Sequence, residues 1–213
     1  MIRKHMENED GIVFKDISNY SLAEMDNQMG IIIATEENML LRLMQEAREK
    51  QAVMIPVLIA DEVVEEKSTE PPMLVVERKE FNSEKDLYEF IGHAIESLQC
   101  MYKSFITIDM EDWRFVLSEP GRLLFTYVEG KDMESAVNKA CDKFVNNSYI
   151  CARAHHVLKI YNANDSDSMD CFDLHRQAGR LDDLFLSNEE CVVTSAVRPS
   201  SSKNNGLSIW LKI

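Results

Sequence analysis

Residues 30–60 contain two short apolar runs with an amphipathic segment between them. Gly30–Ala34 and Ala52–Ala60 are too short for helices and rich in apolar residues, so both are predicted to be buried strands. The apolar residues between them recur at helical spacing, at Leu40, Leu43, Met44 and Ala47. Two strands joined by a helix of about 15 residues form a β-α-β unit, whose strands are parallel. The first half is therefore predicted to have an α/β fold.

A third strand and a long helix follow this unit. Met73–Glu77 is a short apolar run after a loop that ends in two prolines. From Ser83, a residue suited to capping a helix, an apolar stripe continues over about five turns. Its members include Leu87, Phe90, Ile91, Ala94, Ile95 and Leu98. We therefore expect a long helix over 83–103 that connects two packed regions.

The second half predicts a mixed sheet with two helices. Strands are expected at Arg122–Val128, Val157–Tyr161, Cys191–Val197 and Leu207–Ile213, and helices at Lys131–Val145 and Asp173–Leu186. Because a small polar turn separates the last two strands, they are expected to form a hairpin or to lie close together. Apolar and polar residues alternate in the last strand, which is typical of a strand with one buried face. This order indicates an α+β arrangement with a four-stranded mixed sheet.

Composition argues against several functional classes. The net charge of −14 disfavours a nucleic-acid partner, because phosphate binding requires a surface dense in Lys and Arg. No apolar run approaches the roughly 20 residues that span a bilayer, and the N-terminus has no apolar signal core. The five cysteines include no Cys-x-x-Cys pair, so reduced core thiols are expected. We expect a cytoplasmic protein without membrane insertion.

An acidic turn within residues 104–121 is the main candidate site. Asp109 and Asp112 stand three residues apart at a predicted helix start, where free backbone N–H groups favour carboxylates. A reciprocal capping box explains both residues without any ligand. Other constellations are weaker, because His155 and His156 point to opposite faces of a strand. The acidic run 165–170 lacks the glycine and glutamate of a calcium loop.

The segment around the acidic turn resembles FtsZ, the bacterial relative of tubulin. That family carries Asn-Val-Asp-Phe-Ala-Asp-Val-Arg-x-Val-Met-Ser-Glu-x-Gly. This chain has Thr107-Ile-Asp-Met-Glu-Asp-Trp-Arg-Phe-Val-Leu-Ser-Glu-Pro-Gly121, without a gap. Gly130–Ala140 and Ala154–Asn162 are similar to a following helix start and strand, and Met25–Thr35 is similar to a strand of the family's GTPase domain.

The resemblance implies a truncated family member. It divides the chain into an N-terminal extension at 1–18, a truncated nucleotide-domain-like segment at 19–82, the connecting helix at 83–103 and an FtsZ C-terminal-like domain at 104–213. Where the family carries the phosphate-binding Gly-Gly-Gly-Thr-Gly-Thr-Gly, this chain has Thr35-Glu-Glu-Asn38. Carboxylates repel phosphates, and the glycine N–H groups that would hold them are missing. We expect no GTP binding, no cofactor and no enzymatic activity of its own.

In the family the acidic loop reaches the nucleotide site of the next subunit in a filament. The resemblance therefore implies an interface at Thr107, Asp109, Glu111 and Asp112, with FtsZ or a second copy of this chain as partner. Three hypotheses stay open. The chain binds and regulates cell-division filaments, activates a partner GTPase in trans, or is a repurposed self-associating or ligand-binding domain unrelated to division.

Overall fold

The computed structural model describes residues 29–62, 68–98, 108–164, 179–186, 188–200 and 205–213. Its strands are β1 (Met29–Ala34), β2 (Val53–Ala60), β3 (Met73–Glu77), β4 (Arg122–Gly130), β5 (His156–Asn164), β6 (Val192–Ser200) and β7 (Asn205–Lys212). They form one seven-stranded sheet in the order β1-β2-β3-β4-β7-β5-β6. Strands β1 to β6 are parallel, and β7 runs antiparallel between β4 and β5.

Helices cover both faces of this sheet. They are α1 (Glu37–Glu49), α2 (Glu84–Ser97), α3 (Met110–Leu117), α4 (Met133–Val145), α5 (Ser148–Arg153) and α6, whose described part is 179–185. One face packs against α2 and α3, and the other packs against α1, α4, α5 and α6. Because helices lie on both faces, β2 is buried along nearly its whole length. Within the described residues, no helix is long and apolar enough to cross a membrane.

The parallel strands give the sheet two distinct edges. We use the word edge here for the two ends of the strands and not for the outermost strands. The end of the sheet at which β1 to β6 begin is the amino edge, and the end at which they finish is the carboxyl edge. A strand of six to nine residues separates them by about 20–30 Å. Since α4 and α6 follow strands that end at the carboxyl edge, both helices end at the amino edge.

The predicted fold class is confirmed, and most predicted elements occur within a few residues of their expected bounds. The last two strands lie near each other in the sheet, which is one of the two predicted arrangements, but they do not form the predicted hairpin. Strand β5 lies between β6 and β7 and hydrogen bonds to both. Strands β6 and β7, which follow each other in the sequence, are therefore separated by a third strand in the sheet.

The prediction that β7 has one buried face was wrong, because all of its residues are buried. Ser208, Trp210 and Lys212 alternate with its aliphatic residues and face the layer formed by α2 and α3, where Trp210 packs in the core. Helix α5 was not predicted. The extension at 1–18 and the end of the predicted 83–103 helix lie outside the described residues. Cys141, Cys151 and Cys191 are buried free thiols, as expected.

Candidate functional site

The acidic turn forms the N-terminus of α3. Asp109 is the N-cap residue, and its Oδ1 accepts hydrogen bonds from the N–H groups of Glu111 at 2.8 Å and Asp112 at 3.1 Å. Asp112 Oδ2 accepts the N–H of Asp109 at 2.8 Å in return. The predicted capping box is thereby confirmed. Thr107, the fourth residue of the predicted interface, lies outside the described residues.

Apolar residues on either side fix this turn to the core. Ile108, directly before the cap, is fully buried. Trp113, Val116 and Leu117 form the buried stripe of α3, and the Trp113 ring packs edge-on against Trp210 at 5.3 Å between centroids. Because the cap bonds and the core both hold the turn, the carboxylates of Asp109 and Glu111 sit on a rigid support near the surface.

A contact with the turn before β2 locates α3 at the amino edge. Arg114 Nη2 donates to the carbonyl oxygen of Gln51 at 3.4 Å, and its Nη1 forms an ion pair with Glu111. Gln51 has φ of 57° in the turn that leads from α1 into β2. Since β2 begins at the amino edge, the acidic turn lies there as well.

The end of α3 meets the start of β5 and the end of β7 at this edge. Phe115 is exposed, and its ring packs edge-on against His156 at 4.8 Å between centroids. Lys212 Nζ lies 3.4 Å from Glu119 Oε2. Burial lowers the pKa of His156, and the nearby Lys212 lowers it further. These contacts could not be predicted from local spacing, although Phe115 stands four residues after Glu111 on the polar side of the helix.

The turn between β1 and α1 lies at the opposite, carboxyl edge. Strand β1 ends at Ala34 and α1 begins at Glu37, with Glu36 as an N-cap residue whose side chain makes no capping hydrogen bond. The turn contains no glycine and has carboxylates at the position where a phosphate would meet the helix N-terminus. Its chemistry is that of an acidic surface.

Arg78, which directly follows β3, forms ion pairs at the carboxyl edge with one residue after β2 and one at the start of α2. Arg78 Nε lies 2.8 Å from Asp61 Oδ1, and Arg78 Nη1 lies 2.5 Å from Glu84 Oε1. The hydrogen bond from Arg78 lowers the pKa of Glu84. Open parallel sheets hold ligands outside the carboxyl ends of their strands. Here the ends of β2 and β3 carry this partly exposed ion-pair network.

The described residues contain no group of three His, Cys, Asp or Glu side chains that could hold a metal ion. His155 is exposed while His156 is buried, so the expectation that the pair divides between two faces is confirmed. The acidic run 165–170 lies outside the described residues. The residues brought together at the candidate site are therefore Asp109, Glu111 and Asp112, and the arrangement is suited to contacts with another molecule's surface.

Comparison with known proteins relates the whole arrangement to one group of solved structures. No family model and no curated protein matches the sequence. An empty FtsZ dimer of M. jannaschii is similar with a TM-score of 0.65 and 9% identity, over 87% of this chain and 62% of that one. CetZ from Methanosaeta thermophila strain DSM 6194 is similar with a TM-score of 0.57 and 10% identity, over 86% and 61%.

A third structure, GDP-form protofilaments of Bacillus thuringiensis serovar israelensis TubZ, is similar with a TM-score of 0.51 and 9% identity, over 87% of this chain and 62% of that one. The chain thus spans less than two thirds of the length of these proteins. At such low identity the likeness concerns the fold. The chain has an FtsZ/tubulin-like fold.

Proposed function

We propose that the chain is a binding partner of FtsZ-type filaments that contacts a subunit through the acidic turn and has no GTP site of its own. The observation that carries the proposal is the position of this turn, fixed by its capping box at the amino edge. The opposite edge has carboxylates and the Arg78 ion pairs where a nucleotide would need a glycine cradle. A chain with one contact surface but not the other ends a head-to-tail filament.

Sedimentation of GTP-assembled FtsZ, with and without the chain, tests this proposal. We expect the pelleted polymer to decrease as the chain is added at substoichiometric to equimolar ratios, because each bound chain blocks one filament end. The double variant Asp109→Ala, Asp112→Ala should lose the effect. Unchanged polymer mass together with an unchanged GTPase rate would contradict the proposal.

The matched control for this variant is Asp132→Ala. Asp132 also caps a helix through a capping box, with Ser135, but it precedes α4 at the carboxyl edge. It therefore loses a comparable cap without altering the amino edge. Phosphate release in the same assay distinguishes blocking of filament ends from activation of the FtsZ GTPase in trans. An activator would raise phosphate release, and the double variant Asp109→Ala, Asp112→Ala would abolish the increase.

Self-association is the second candidate function. It is favoured by the similar structures, which include an FtsZ dimer of M. jannaschii and TubZ protofilaments. Sedimentation of the chain alone, with no FtsZ present, tests it. A polymer or a stable oligomer at micromolar concentration would support self-association and would weaken the filament-partner proposal.

A further inference from the structure

The outermost strand β1 has no hydrogen-bonded neighbour on its outer side among the described residues. It pairs with β2 alone, in a parallel register that runs from Met29 opposite Val53 to Ala34 opposite Leu58. In a parallel pair, alternate residues direct their N–H and C=O groups toward the neighbouring strand. The other half of the six residues of β1 therefore directs these groups outward. A row of unpaired backbone groups of this kind is a template for a further strand.

The residues of β1 give it no protection against pairing. Its sequence, Met-Gly-Ile-Ile-Ile-Ala, has no charged residue and no proline, and Ile31 and Ile33 are only partly buried. Outermost strands commonly carry a charge or a proline that blocks pairing. The outermost strand on the other side of the sheet, β6, has both, because Arg198 and Pro199 lie in its second half. Of the two, β1 is therefore the strand that is suited to accept a neighbour.

A second copy of β1 matches this strand better than the residues that precede it in the chain. Residues 1–28 contain a single uninterrupted run of three or more apolar residues, at 12–14, which is half as long as β1. An identical strand in antiparallel orientation covers β1 almost completely. A two-fold axis through Ile31 pairs Met29 of each copy with Ile33 of the other, and no charged residue meets a like charge along the strand.

The same axis brings equivalent faces of the two sheets together. It is perpendicular to the sheet, so Ile31 and Ile33 of both copies meet on the face that packs against α2 and α3. The partly buried aliphatic side chains then lose further contact with water, which favours the pairing. An axis through Ile32 gives the same result with a shift of one residue.

Helix α1 makes this contact self-complementary in charge. It packs on β1 and β2 and runs antiparallel to them. Since neighbouring strands lie about 4.8 Å apart, the two copies of α1 lie side by side at about 10 Å, the spacing of packed helices. Glu36 and Glu37 at the start of one helix then lie beside Arg48 and Lys50 at the end of the other. The segment 29–50 carries four carboxylates and three cations, so little of the net charge of −14 lies at this contact.

We infer that two copies of this chain pair antiparallel through the outer side of β1, about a two-fold axis perpendicular to the sheet, and join their two sheets into one. The inference goes beyond the proposed filament role and specifies the second candidate function, self-association, by naming the strand at which the copies meet. A two-fold dimer is closed, so this contact differs from one that extends a filament. Because the axis reverses the strand direction, the two acidic turns lie at opposite ends of the dimer.

Cysteine substitutions on β1 test the pairing in the full chain. A residue on a two-fold axis meets its own copy, and directly opposite Cα atoms in antiparallel strands lie about 4.5–5.5 Å apart, within disulfide range. We expect Ile31→Cys or Ile32→Cys to give a disulfide-linked dimer when glutathione disulfide is the oxidant. Thr194→Cys is the matched control, because Thr194 is partly buried in β6 on the same face as Ile31. The unsubstituted chain, oxidised in the same way, controls for its natural cysteines.

Sedimentation equilibrium tests the dimer without a crosslink. We expect the unsubstituted chain to show a monomer–dimer equilibrium at micromolar concentration. Ile31→Lys should raise the Kd of the dimer at least about tenfold, because pairing would bury a charge from each copy. Thr194→Lys should leave the Kd unchanged. Urea unfolding shows whether both variants are folded, and the cysteine crosslinks decide the question if Ile31→Lys is not.

Several results would overturn the inference. One is a chain that stays monomeric at micromolar concentration, and another is a dimer that a folded Ile31→Lys variant leaves intact. A disulfide-linked dimer from Thr194→Cys but from neither β1 variant would place the contact elsewhere. Hydrogen exchange provides a further check, since the β1 amides should exchange more slowly in the dimer than in dilute solution. Exchange that does not change with dilution would mean that no second copy covers this strand.

The filament role is tested separately from this pairing. The double variant Asp109→Ala, Asp112→Ala alters neither β1 nor α1, so it should dimerise like the unsubstituted chain. If the chain pairs through β1 and leaves FtsZ polymer unchanged, the inference stands and the filament role fails. If the chain is monomeric and still lowers the pelleted polymer through Asp109 and Asp112, the filament role stands and the inference fails.

Discussion

The indole N–H of Trp210 on β7 donates a 2.8 Å hydrogen bond to Ser97 Oγ at the end of α2. Both side chains are buried, and Ser97 Oγ also lies 2.6 Å from the carbonyl oxygen of Ala94, to which it donates. This bond joins the only antiparallel strand of the described sheet to the helix that follows β3. It therefore links the first half of the chain to its last strand.

Ser97→Ala should lower the free energy of unfolding by about 1–3 kcal/mol, because it leaves the buried Trp210 N–H without a partner. Urea denaturation measures the change. Ser118→Ala is the matched control, since Ser118 Oγ makes the same kind of helical hydrogen bond, 2.8 Å to the carbonyl oxygen of Phe115, but is exposed. Equal costs for the two variants would show that the bond to Trp210 contributes nothing.

A second prediction concerns the buried ion pair between Lys159 on β5 and Asp182 on α6. Lys159 is fully buried, and burial lowers its pKa while Asp182 raises it in part. Asp182→Asn leaves a buried amine without its counter-charge, so we expect a loss of about 3–5 kcal/mol at neutral pH. The neighbouring exposed residue provides the control, Asp183→Asn, which should cost little.

The pH dependence of Asp182→Asn distinguishes charge burial from simple loss of packing. The pKa of Lys159 in the folded chain is below its usual 10.5. Between the folded-state pKa and 10.5, the unfolded chain therefore binds more protons than the folded chain. Stability contributed by this group therefore rises with pH in that interval, more strongly in Asp182→Asn. We expect the deficit of the variant to shrink between neutral pH and pH ~10. A deficit that is constant with pH would contradict this explanation.

Local sequence signals made the helices, the strands and the capping box predictable. The order of the strands in the sheet was not predictable from such signals. The spacing of Asp109 and Asp112 predicted a capping box, because such a box depends only on residues within one helical turn of each other. By contrast, nothing in the sequence of residues 199–206 indicates that β5 lies between β6 and β7. The burial of the polar side of β7 depends on Ser97 and Trp113, about 100 residues earlier in the chain.

The location of the candidate site at the amino edge could not be predicted from the sequence either. It follows from the contact of Arg114 with the carbonyl oxygen of Gln51, which lies 63 residues away in the chain. The exposure of Phe115 could be read from its position on the polar stripe of α3. The contact of Phe115 with His156 could not be predicted, since it depends on how strand β5 is placed in the sheet.

A third prediction concerns acid stability. His156 is buried beside Lys212, and both burial and this charge lower its pKa below 6.5, against an opposing effect of Glu119. Between the lowered pKa and pH 6.5, the unfolded chain therefore binds more protons than the folded chain, and the free energy of unfolding rises with pH. Above pH 6.5, His156 contributes no further pH dependence. His156→Gln should remove a slope of at most about 1.4 kcal/mol per pH unit. Urea unfolding between pH 5 and 7 measures it, and the control His155→Gln, at an exposed site, should keep most of the slope because His155 is the smallest cause of the lowered pKa of His156.

A fourth prediction concerns the close approach of Tyr127 to Gly206 across β4 and β7. A Cβ atom at Gly206 would lie 2.6 Å from Tyr127 Oη. The tyrosine has little room to withdraw, because its ring stacks on His93 at 3.6 Å between centroids and its hydroxyl donates to Glu129 Oε1 at 2.8 Å. We expect Gly206→Ala to cost about 1–3 kcal/mol through overpacking.

A double-mutant cycle tests whether this cost comes from the Tyr127 contact. In the Tyr127→Ala background the ring and its hydroxyl are absent, so Gly206→Ala should become nearly neutral, and the two substitutions should be strongly non-additive. Gly92→Ala is a control, because a Cβ at Gly92 in α2 meets nothing within 4 Å and should stabilise the helix. An equal cost of Gly206→Ala in both backgrounds would place the strain elsewhere, in the backbone of β7 itself.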